Sequence, residues 1–315
     1  MSMSEIQKAA EIIQEGGLVA FPTETVYGLG ADALNPYAVA AIFEAKNRPT
    51  FDPLIVHVAD MRQAEILVHR FPEKALKLID KFWPGPLTIV LPKSPLVPDI
   101  VTSSLPNVAI RVPNHPMALE LIRESGRPIA APSANPFGQV SPTTAEHVRK
   151  SLGNKVNMIL DGGPCTVGVE STIISFAEKE PVLLRPGGLS LEEIESIIGK
   201  VIVSHGSTDK PVAPGQFLQH YSPRTPLKLI PLGEAPMASA KTGWLGLQNP
   251  PSGFVAVEVL SKKGDLKEAA ANLFAAMRRL DEKNLDLIYA QPVPDQGLGR
   301  AINDRLYRAS YKPQK

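Results

Sequence analysis

The arrangement of short apolar segments and amphipathic segments constrains the fold of this chain most. Apolar runs at residues 18–21, 54–58 and 87–91 have the length of buried strands. Between such runs, residues 37–47 and 191–198 have the apolar spacing of helices. Strands and helices do not alternate strictly, so we predict an α/β fold with a mixed twisted sheet and flanking helices rather than a simple doubly wound sheet.

The character of the chain changes near residue 200, which indicates two domains. Residues 203–226 show little hydrophobic periodicity and contain several prolines, so we predict a semi-rigid linker there. The linker would separate a first domain over residues 1–202 from a second over residues 227–315. The second combines strand patterns with a strong helical pattern at residues 266–280, which predicts a smaller, Rossmann-like α/β domain.

Charge and cysteine content argue against several classes of protein. The chain has 33 Lys+Arg and 32 Asp+Glu, a net charge of +1. No global field would therefore draw the whole protein to nucleic acid or to an anionic membrane. The single cysteine, Cys165, cannot form an intramolecular disulfide, which favours a reducing compartment. Residues 1–10 lack a signal-peptide pattern and no run of about 18 apolar residues occurs, so we expect a cytoplasmic protein.

Two short segments place polar side chains where a ligand could bind. Arg48 precedes a proline, which favours extended backbone, so Lys46 and Arg48 could project together as a cationic pair. Taken alone, this segment favours the alternative of a solvated helix end. Ser133 and Asn135 are also two residues apart, in a proline-bounded loop after an apolar strand. They either face a ligand or bond their own backbone in a turn, and both interpretations stay open.

Further candidates lie at the ends of predicted elements. Ser141 precedes a predicted helix whose free N–H groups would suit a phosphate, although plain capping, with Thr143 in a capping box, is the favoured alternative. Arg111 and Arg185 belong to apolar strands, and a buried arginine needs either a carboxylate partner or an anionic ligand. His57 is expected to be a satisfied core histidine unless a cleft opens beside it.

Common nucleotide and metal motifs are absent from the sequence. It contains neither the Gly-x4-Gly-Lys-Ser/Thr phosphate loop nor a His-Glu-x2-His metal site. Gly28, Gly30 and Ala33 match the Gly-x-Gly-x-x-Ala pattern of dinucleotide sites. The preceding apolar strand ends near Phe21, however, and Pro36 interrupts the helix that would receive the pyrophosphate. We therefore do not expect a dinucleotide site.

Several segments, taken together, resemble the YrdC/Sua5 family. In order through about residue 200, they are Phe-Pro-Thr-Glu-Thr-Val-Tyr-Gly-Leu-Gly (21–30), Lys-Asn-Arg-Pro (46–49), Pro-Leu-Ile-Val-His (53–57), Trp-Pro-Gly-Pro-Leu-Thr (83–88), Ala-Pro-Ser-Ala-Asn (131–135), Gly-Val-Glu-Ser-Thr-Ile (168–173) and Leu-Leu-Arg-Pro-Gly (183–187). The remainder resembles the C-terminal domain of the two-domain Sua5 type, through His-Tyr-Ser-Pro (220–223) and Gly-Leu-Gly-Arg-Ala-Ile-Asn-Asp-Arg-Leu (297–306).

The resemblance implies a YrdC-like fold and a nucleotidyltransferase reaction. L-threonine, bicarbonate and ATP, with Mg²⁺, would give threonylcarbamoyl-AMP and pyrophosphate. A separate transferase system would use the product to build N6-threonylcarbamoyladenosine at position 37 of tRNA. No side chain is implied as a metal ligand. The residues implied are Lys46, Arg48, Ser133 and Asn135 for catalysis, Thr23, His57, Arg111 and Ser171 for threonine or carbamate, and Lys46, Arg48, Asn107, Ser133, Ser141 and Arg185 for ATP.

Two other functions fit the same type of domain. One is an enzyme that adenylates carbamate or carbamoyl phosphate, as in hydrogenase-maturation proteins with a similar domain. Those proteins also carry zinc-finger-like modules, which one cysteine cannot form. The other is an RNA-binding module. The near-neutral charge argues against strong RNA binding, because neutralising phosphates requires many cations.

The linker carries more functional side chains than a passive tether requires, including Gln216, His220, Tyr221 and Arg224. Its prolines, among them Pro211, reduce its conformational freedom. An acyl-adenylate is vulnerable to hydrolysis, and closing a site excludes water. We therefore predict that the linker closes over the cleft of the first domain as a lid, with Tyr221 near the nucleotide. A plain spacer is the alternative.

Overall fold

The structure is a computed structural model that describes residues 4–204 and 213–311, except residues 216, 218, 219, 232, 233, 235, 237 and 240. The predicted lid residue Gln216 and the linker residue Pro211 lie outside the described residues. The helices are α1 (Glu5–Gln14), α2 (Pro36–Lys46), α3 (Met61–Glu65), α4 (Glu73–Phe82), α5 (Asp99–Thr102), α6 (Pro116–Ser125), α7 (Ala145–Leu152), α8 (Leu191–Ile198), α9 (Leu266–Asp281) and α10 (Gly299–Ser310).

The first part of the chain forms a mixed sheet of ten strands among the described residues. These are β1 (Val19–Phe21), β2 (Gly28–Asp32), β3 (Ile55–His57), β4 (Leu87–Pro92), β5 (Asn107–Arg111), β6 (Ile129–Ala130), β7 (Met158–Ile159), β8 (Thr172–Ser175), β9 (Val182–Arg185) and β10 (Ile202–Val203). The strand order is β10-β9-β8-β4-β5-β3-β6-β2-β1-β7. At its centre β5 pairs parallel to β3 and antiparallel to β4, which confirms the predicted mixed α/β fold.

Local sequence explains where several helices begin. Ser4 and Gln7 form a capping box before α1, and Ser190 and Glu193 form another before α8. Gly126 ends α6 in the left-handed region, with φ 64°. The predicted cap of α7 is wrong by one residue, because the Thr144 side chain, not that of Thr143, accepts from a backbone N–H of the first turn.

The second part of the chain forms a smaller parallel sheet in the order β11-β14-β12-β13. Its strands are β11 (Leu227–Leu229), β12 (Thr242–Gly246), β13 (Ala256–Val259) and β14 (Leu287–Ala290). All three pairings are parallel, and α9 and α10 pack on this sheet. The hydrophobic core of this part extends to Val26, Val140 and Val169 of the first part, so the two parts share a packed interface.

Two buried strands are not apparent from the sequence pattern. β2 and β12 are buried along their whole length, but each contains two glycines, so neither shows the apolar alternation of a strand. Gly28 and Gly30 lie within β2 rather than in a loop before a helix, which excludes the dinucleotide-site pattern. None of the helices in the described part of the chain is long and apolar enough to cross a bilayer.

Candidate active site

Strand ends and loops of the first sheet converge on one buried cavity. His57 and Arg111 end the paired strands β3 and β5, and Arg185 ends β9. Ser133 follows β6, and Ser171 directly precedes β8. The cavity volume is about 50 Å³. This is room for a few water molecules, far below the roughly 300–1,000 Å³ typical of ligand pockets.

The structure brings most of the predicted site residues to this cavity. Those that line it are Thr23, Arg48, His57, Arg111, Ser133, Ser171, Arg185 and Tyr221. The predicted residues that do not line it are Lys46, Asn107, Asn135 and Ser141.

Arg111 has a carboxylate partner. Its Nη2 lies 2.7 Å from Glu24 Oε1, and both side chains are buried. Its Nη1 donates to Thr25 Oγ1 at 2.9 Å, and Thr25 in turn hydrogen-bonds Thr23 across 2.8 Å. The loop between β1 and β2 therefore orients Arg111 and Thr23 together on one wall of the cavity.

Arg185 differs from Arg111, since no carboxylate of the described residues pairs with it directly. Its Nε and Nη2 donate to the Ser171 carbonyl, at 3.2 and 2.8 Å, and Nη2 also donates to Ser171 Oγ at 3.2 Å. Nη1 donates to the Pro214 carbonyl at 3.1 Å. Burial lowers the pKa of Arg185 below its usual value. A buried guanidinium that is bound only by neutral groups is suited to an anionic ligand.

Lys46 and Arg48 are buried, 1% and 7% exposed, so the interpretation as a solvated helix end is wrong. The expected extended geometry is also wrong, because Lys46 ends α2 and Asn47 is left-handed, with φ 50° and ψ 42°. Burial lowers the pKa of both basic groups, that of Lys46 well below its usual value. Arg48 Nη2 lies 2.7 Å from Asp52 Oδ2 in a buried ion pair.

In the loop after β6, each of the two interpretations that the sequence left open holds for one residue: Ser133 faces the cavity, and Asn135 bonds its own loop. Ser133 lines the cavity. Asn135 bonds its own loop, because its Nδ2 donates to the carbonyls of Pro136 and Gln139, each at 2.9 Å. Lys46 Nζ donates to the backbone carbonyls of Ser133 and Asn135. Lys46 therefore holds this loop against α2, one layer behind the cavity.

Asn107 and Ser141 do not line the cavity, for different reasons. Asn107 begins β5 and Arg111 ends it, a separation of about 13 Å at the usual rise per residue. Ser141 Oγ donates to Glu170 Oε1 at 2.6 Å. Ser141 also does not open a helix as predicted, since α7 begins only at Ala145.

A cavity opens beside His57, which is the condition under which the sequence did not predict a satisfied core histidine. Its side chain is 4% exposed, it lines the cavity, and its Nδ1 has no hydrogen-bond partner among the described residues. Burial, reinforced by the nearby charge of Arg111, lowers the pKa of His57 to about 3. The imidazole is therefore neutral at pH 7 and lies beside the cavity.

Residues of the predicted linker form the remaining wall of the cavity. Pro214, Gly215, His220 and Tyr221 all line it. Burial lowers the pKa of His220 well below its usual value and raises that of Tyr221 to about 12. Tyr221 adopts φ 61°, a conformation that costs roughly 1–3 kcal/mol for such a residue.

Tyr221 is held in this conformation from two sides. Its ring stacks on Phe274 of α9, with centroids 5.5 Å apart, and the Arg305 guanidinium lies 5.1 Å from its centroid. Arg305, which is fully buried in α10, also donates to Glu170 Oε2 at 2.9 Å. The second domain therefore contacts both the linker and a cavity-lining carboxylate.

Three acidic residues at this site were not predicted, and each is already paired. Glu24 pairs with Arg111, Asp52 with Arg48, and Glu170 with Arg305. Burial alone would raise the pKa of Glu170, but its neighbours, chiefly Arg305, hold it below the usual value. Glu24 and Glu170 lie inside the motifs at 21–30 and 168–173. A single acidic residue within such a buried motif was therefore the sequence signal that could have identified both as site residues.

Acidic and histidine side chains do not form a resident metal site in the described part of the chain. No group of three or more His, Cys, Asp or Glu residues there has the spacing to hold an ion. Both Glu170 oxygens are engaged, by Ser141 and Arg305. The acidic groups at this site are therefore paired with other side chains rather than grouped around an ion.

Comparisons with known proteins agree with this architecture. A profile of the Sua5/YciO/YrdC family, described as telomere recombination, matches residues 11–187. A profile described as the C-terminal domain of threonylcarbamoyl-AMP synthase matches residues 189–310. The chain is similar to proteins named threonylcarbamoyl-AMP synthase from Bacillus subtilis and Pyrococcus abyssi. Each is 46% identical, over 97% of this chain and 93% and 94% of the relatives.

A solved structure with the same overall fold is the crystal structure of P. abyssi Sua5 complexed with L-threonine. It superposes with a TM-score of 0.91 at 45% identity, covering 98% of this chain and 96% of the other.

Proposed function

The chain belongs to the Sua5/YciO/YrdC family, and we propose from this membership and from the cavity that it is a threonylcarbamoyl-AMP synthase. It joins L-threonine, bicarbonate and ATP into threonylcarbamoyl-AMP and releases pyrophosphate. The observation that carries the proposal is the convergence of Arg48, Arg111 and Arg185 on one buried cavity. Relatives with this name span nearly the whole chain.

The reaction explains why the site is rich in cations. The threonine-derived carbamate and the α-phosphate of ATP are both anionic, and they must approach each other. Two like charges about 4 Å apart repel by roughly 4 kcal/mol at a surface-like dielectric. With a net charge of only +1, the protein has to supply cations locally. Arg185 does so without a carboxylate partner among the described residues, whereas Arg48 and Arg111 are paired with Asp52 and Glu24. No covalent nucleophile is needed, because catalysis here consists of positioning and electrostatic stabilisation.

The family resemblance divides the residues at the cavity between the two substrates. Arg111, Thr23, His57 and Ser171 would bind threonine and the carbamate. Arg48, Ser133 and Arg185 would bind the nucleotide, supported by Lys46 and Asn135 behind them. Arg185 supports this division, because a guanidinium without a carboxylate partner is available for phosphate. The predicted ATP contacts of Asn107 and Ser141 would require movement, since neither lines the cavity.

The small volume of the cavity supports the lid hypothesis. The cavity of about 50 Å³ is far smaller than a pocket for ATP and threonine, and residues of the linker form one of its walls. We propose that the linker opens for the substrates and closes again over the adenylate, excluding water. Hydrogen exchange of residues 213–222 in the full chain tests this. We expect faster exchange without ligands than with ATP and threonine, and equal rates would favour a spacer.

Mg²⁺ and the partners belong to the same proposal. The ion would enter bound to the triphosphate, since the acidic groups at the site are already paired with arginines. The product would pass to a tRNA threonylcarbamoyl transferase system in the cytoplasm, and any direct RNA contact would be weak, given the net charge of +1.

The division of the chain into domains at residues 1–202, 203–226 and 227–315 stays a prediction.

One assay tests the proposed function. Pyrophosphate release is measured with ATP, L-threonine and bicarbonate together and with each omitted in turn, and the adenylate is identified by mass spectrometry. We expect release only with all three, and equal release without threonine would overturn the proposal. Turnover with carbamoyl phosphate instead would indicate a carbamoyl-adenylating enzyme. Salt-dependent RNA binding without ATP turnover would indicate an RNA-binding module.

A variant pair tests the role of the cationic wall. Arg48→Ala should reduce turnover by about 10²-fold or more, the usual scale for losing one preorganised stabilising group. Arg62→Ala, at an exposed position of α3, is the matched control and should retain activity. Near-normal turnover of Arg48→Ala would show that Arg48 does not contribute to catalysis.

A further inference from the structure

Asp52 is a fully buried carboxylate with an unusual environment. Its side chain is 0% exposed and lies 2.7 Å from Arg48 Nη2. Neither carboxylate oxygen accepts a further hydrogen bond from the described residues. A buried carboxylate normally accepts several such bonds, because burial removes the water that would otherwise solvate its charge.

The carboxylate is not needed to orient Arg48. Two backbone carbonyls of the same loop already bind the guanidinium, since Nε donates to the Asp52 carbonyl at 3.2 Å and Nη2 to the Pro53 carbonyl at 2.9 Å. What the Asp52 side chain adds is a negative charge beside a cation that lines the cavity.

Asp52 differs in this respect from the other acids at the site. Glu24 also accepts from the Asn114 N–H at 3.0 Å, and both Glu170 oxygens accept hydrogen bonds, from Ser141 and Arg305. The bonds to Glu170 favour its ionised form. Asp52 has only the ion pair, so it loses less on protonation than Glu170 does.

The charge balance around Asp52 supports the same conclusion. The charged groups that act on it are Arg48 and Lys46 at the end of α2 and Arg185 at the end of β9. Despite these three cations, burial raises the pKa of Asp52 to about 6. A polyanion beside Arg48 would raise it further, because a nearby like charge disfavours the ionised form.

We propose that Asp52 is a positioning residue that neutralises Arg48 in the empty site and, when the triphosphate binds, takes up a proton from solvent and releases the guanidinium to the phosphates. The inference rests on the proposed function, since it assumes that the anion at Arg48 belongs to ATP. Asp52 thereby sets the affinity for the nucleotide and makes its binding proton-linked.

Asp52→Asn tests the proposal, because it removes the charge and keeps the shape. MgATP binding to the full chain is measured by calorimetry at about pH 8 and pH 6, in two buffers of different ionisation enthalpy. We expect the variant to bind MgATP roughly tenfold more tightly at pH 8, the scale of removing one like charge several ångströms away. The difference should shrink toward pH 6, and the wild type should take up more protons than the variant. The KM for ATP should fall accordingly.

Other outcomes separate the alternatives. Weaker MgATP binding by the variant at both pH values, with unchanged proton uptake, would mean that Asp52 only supports Arg48 structurally and would overturn the proposal. If Asp52→Asn does not fold, MgATP binding to the wild type is measured across the same pH range, and proton uptake no larger than that of MgATP itself overturns the proposal. A wild type that neither binds MgATP nor releases pyrophosphate would instead refute the proposed function.

Discussion

Substitution of His57 should remove part of the acid sensitivity of the fold. His57 is 4% exposed, and burial and Arg111 lower its pKa from 6.5 to about 3. The folded state therefore prefers the neutral imidazole, whereas the unfolded chain binds a proton below pH 6.5. The stability that His57 contributes is fully present above pH 6.5 and is lost as the pH falls toward 3.

The size of the effect follows from the two pKa values. Relative to pH 8, linkage gives a loss of about 2 kcal/mol at pH 5 and about 3 kcal/mol at pH 4. Urea unfolding of the wild type and of His57→Asn at these pH values measures it. We expect the variant to lose less stability than the wild type by these amounts.

A histidine on the surface provides the control. His69 is exposed, so His69→Asn should follow the wild type across the range. If the stability curves of the wild type and His57→Asn ran parallel from pH 8 to pH 4, His57 would not be a buried neutral imidazole, and the reasoning would fail.

Three further substitutions have distinct expected outcomes. Arg185→Met should lower the free energy of unfolding by roughly 1–3 kcal/mol, because the Ser171 and Pro214 carbonyls lose their donor, and pyrophosphate release should fall by about 10²-fold. Gly168→Ala should cost about 2 kcal/mol in urea unfolding, since Gly168 has φ 76° and an added Cβ would lie 2.4 Å from the Ala271 Cα of α9. Lys46→Ala should lose roughly 1–3 kcal/mol as well as turnover, because two carbonyls of the loop after β6 lose their donor; unchanged stability would show that Lys46 does not hold that loop.

Elements with strong local signals were predictable from the sequence. The helix at residues 191–198 was predicted with its observed bounds, because Ser190 and Glu193 cap it and Gly199 follows it. Helix α9 extends one residue beyond its predicted end. β2 and β12 were missed because tertiary burial, rather than side-chain alternation, stabilises such glycine-containing strands.

Candidate site residues were predictable mainly as members of motifs. The strand ends and loops that carry His57, Arg111, Ser133 and Arg185 converge on one cavity. Asn107 belongs to the same strand as Arg111 but lies at its opposite end, so the strand pattern did not determine which end faces the cavity.

Sequence alone determined the order of the strongly patterned elements, the family resemblance and the need for local cations on a chain of net charge +1. Only the tertiary structure decided which cations are neutralised. Arg111 pairs with Glu24, and Arg305 pairs with Glu170, 135 residues away along the chain, whereas Arg185 bonds only neutral groups among the described residues. Motifs record which residue types are present. The charge state and availability of a buried arginine depend on groups that folding brings within a few ångströms, because electrostatic interactions strengthen once water is excluded.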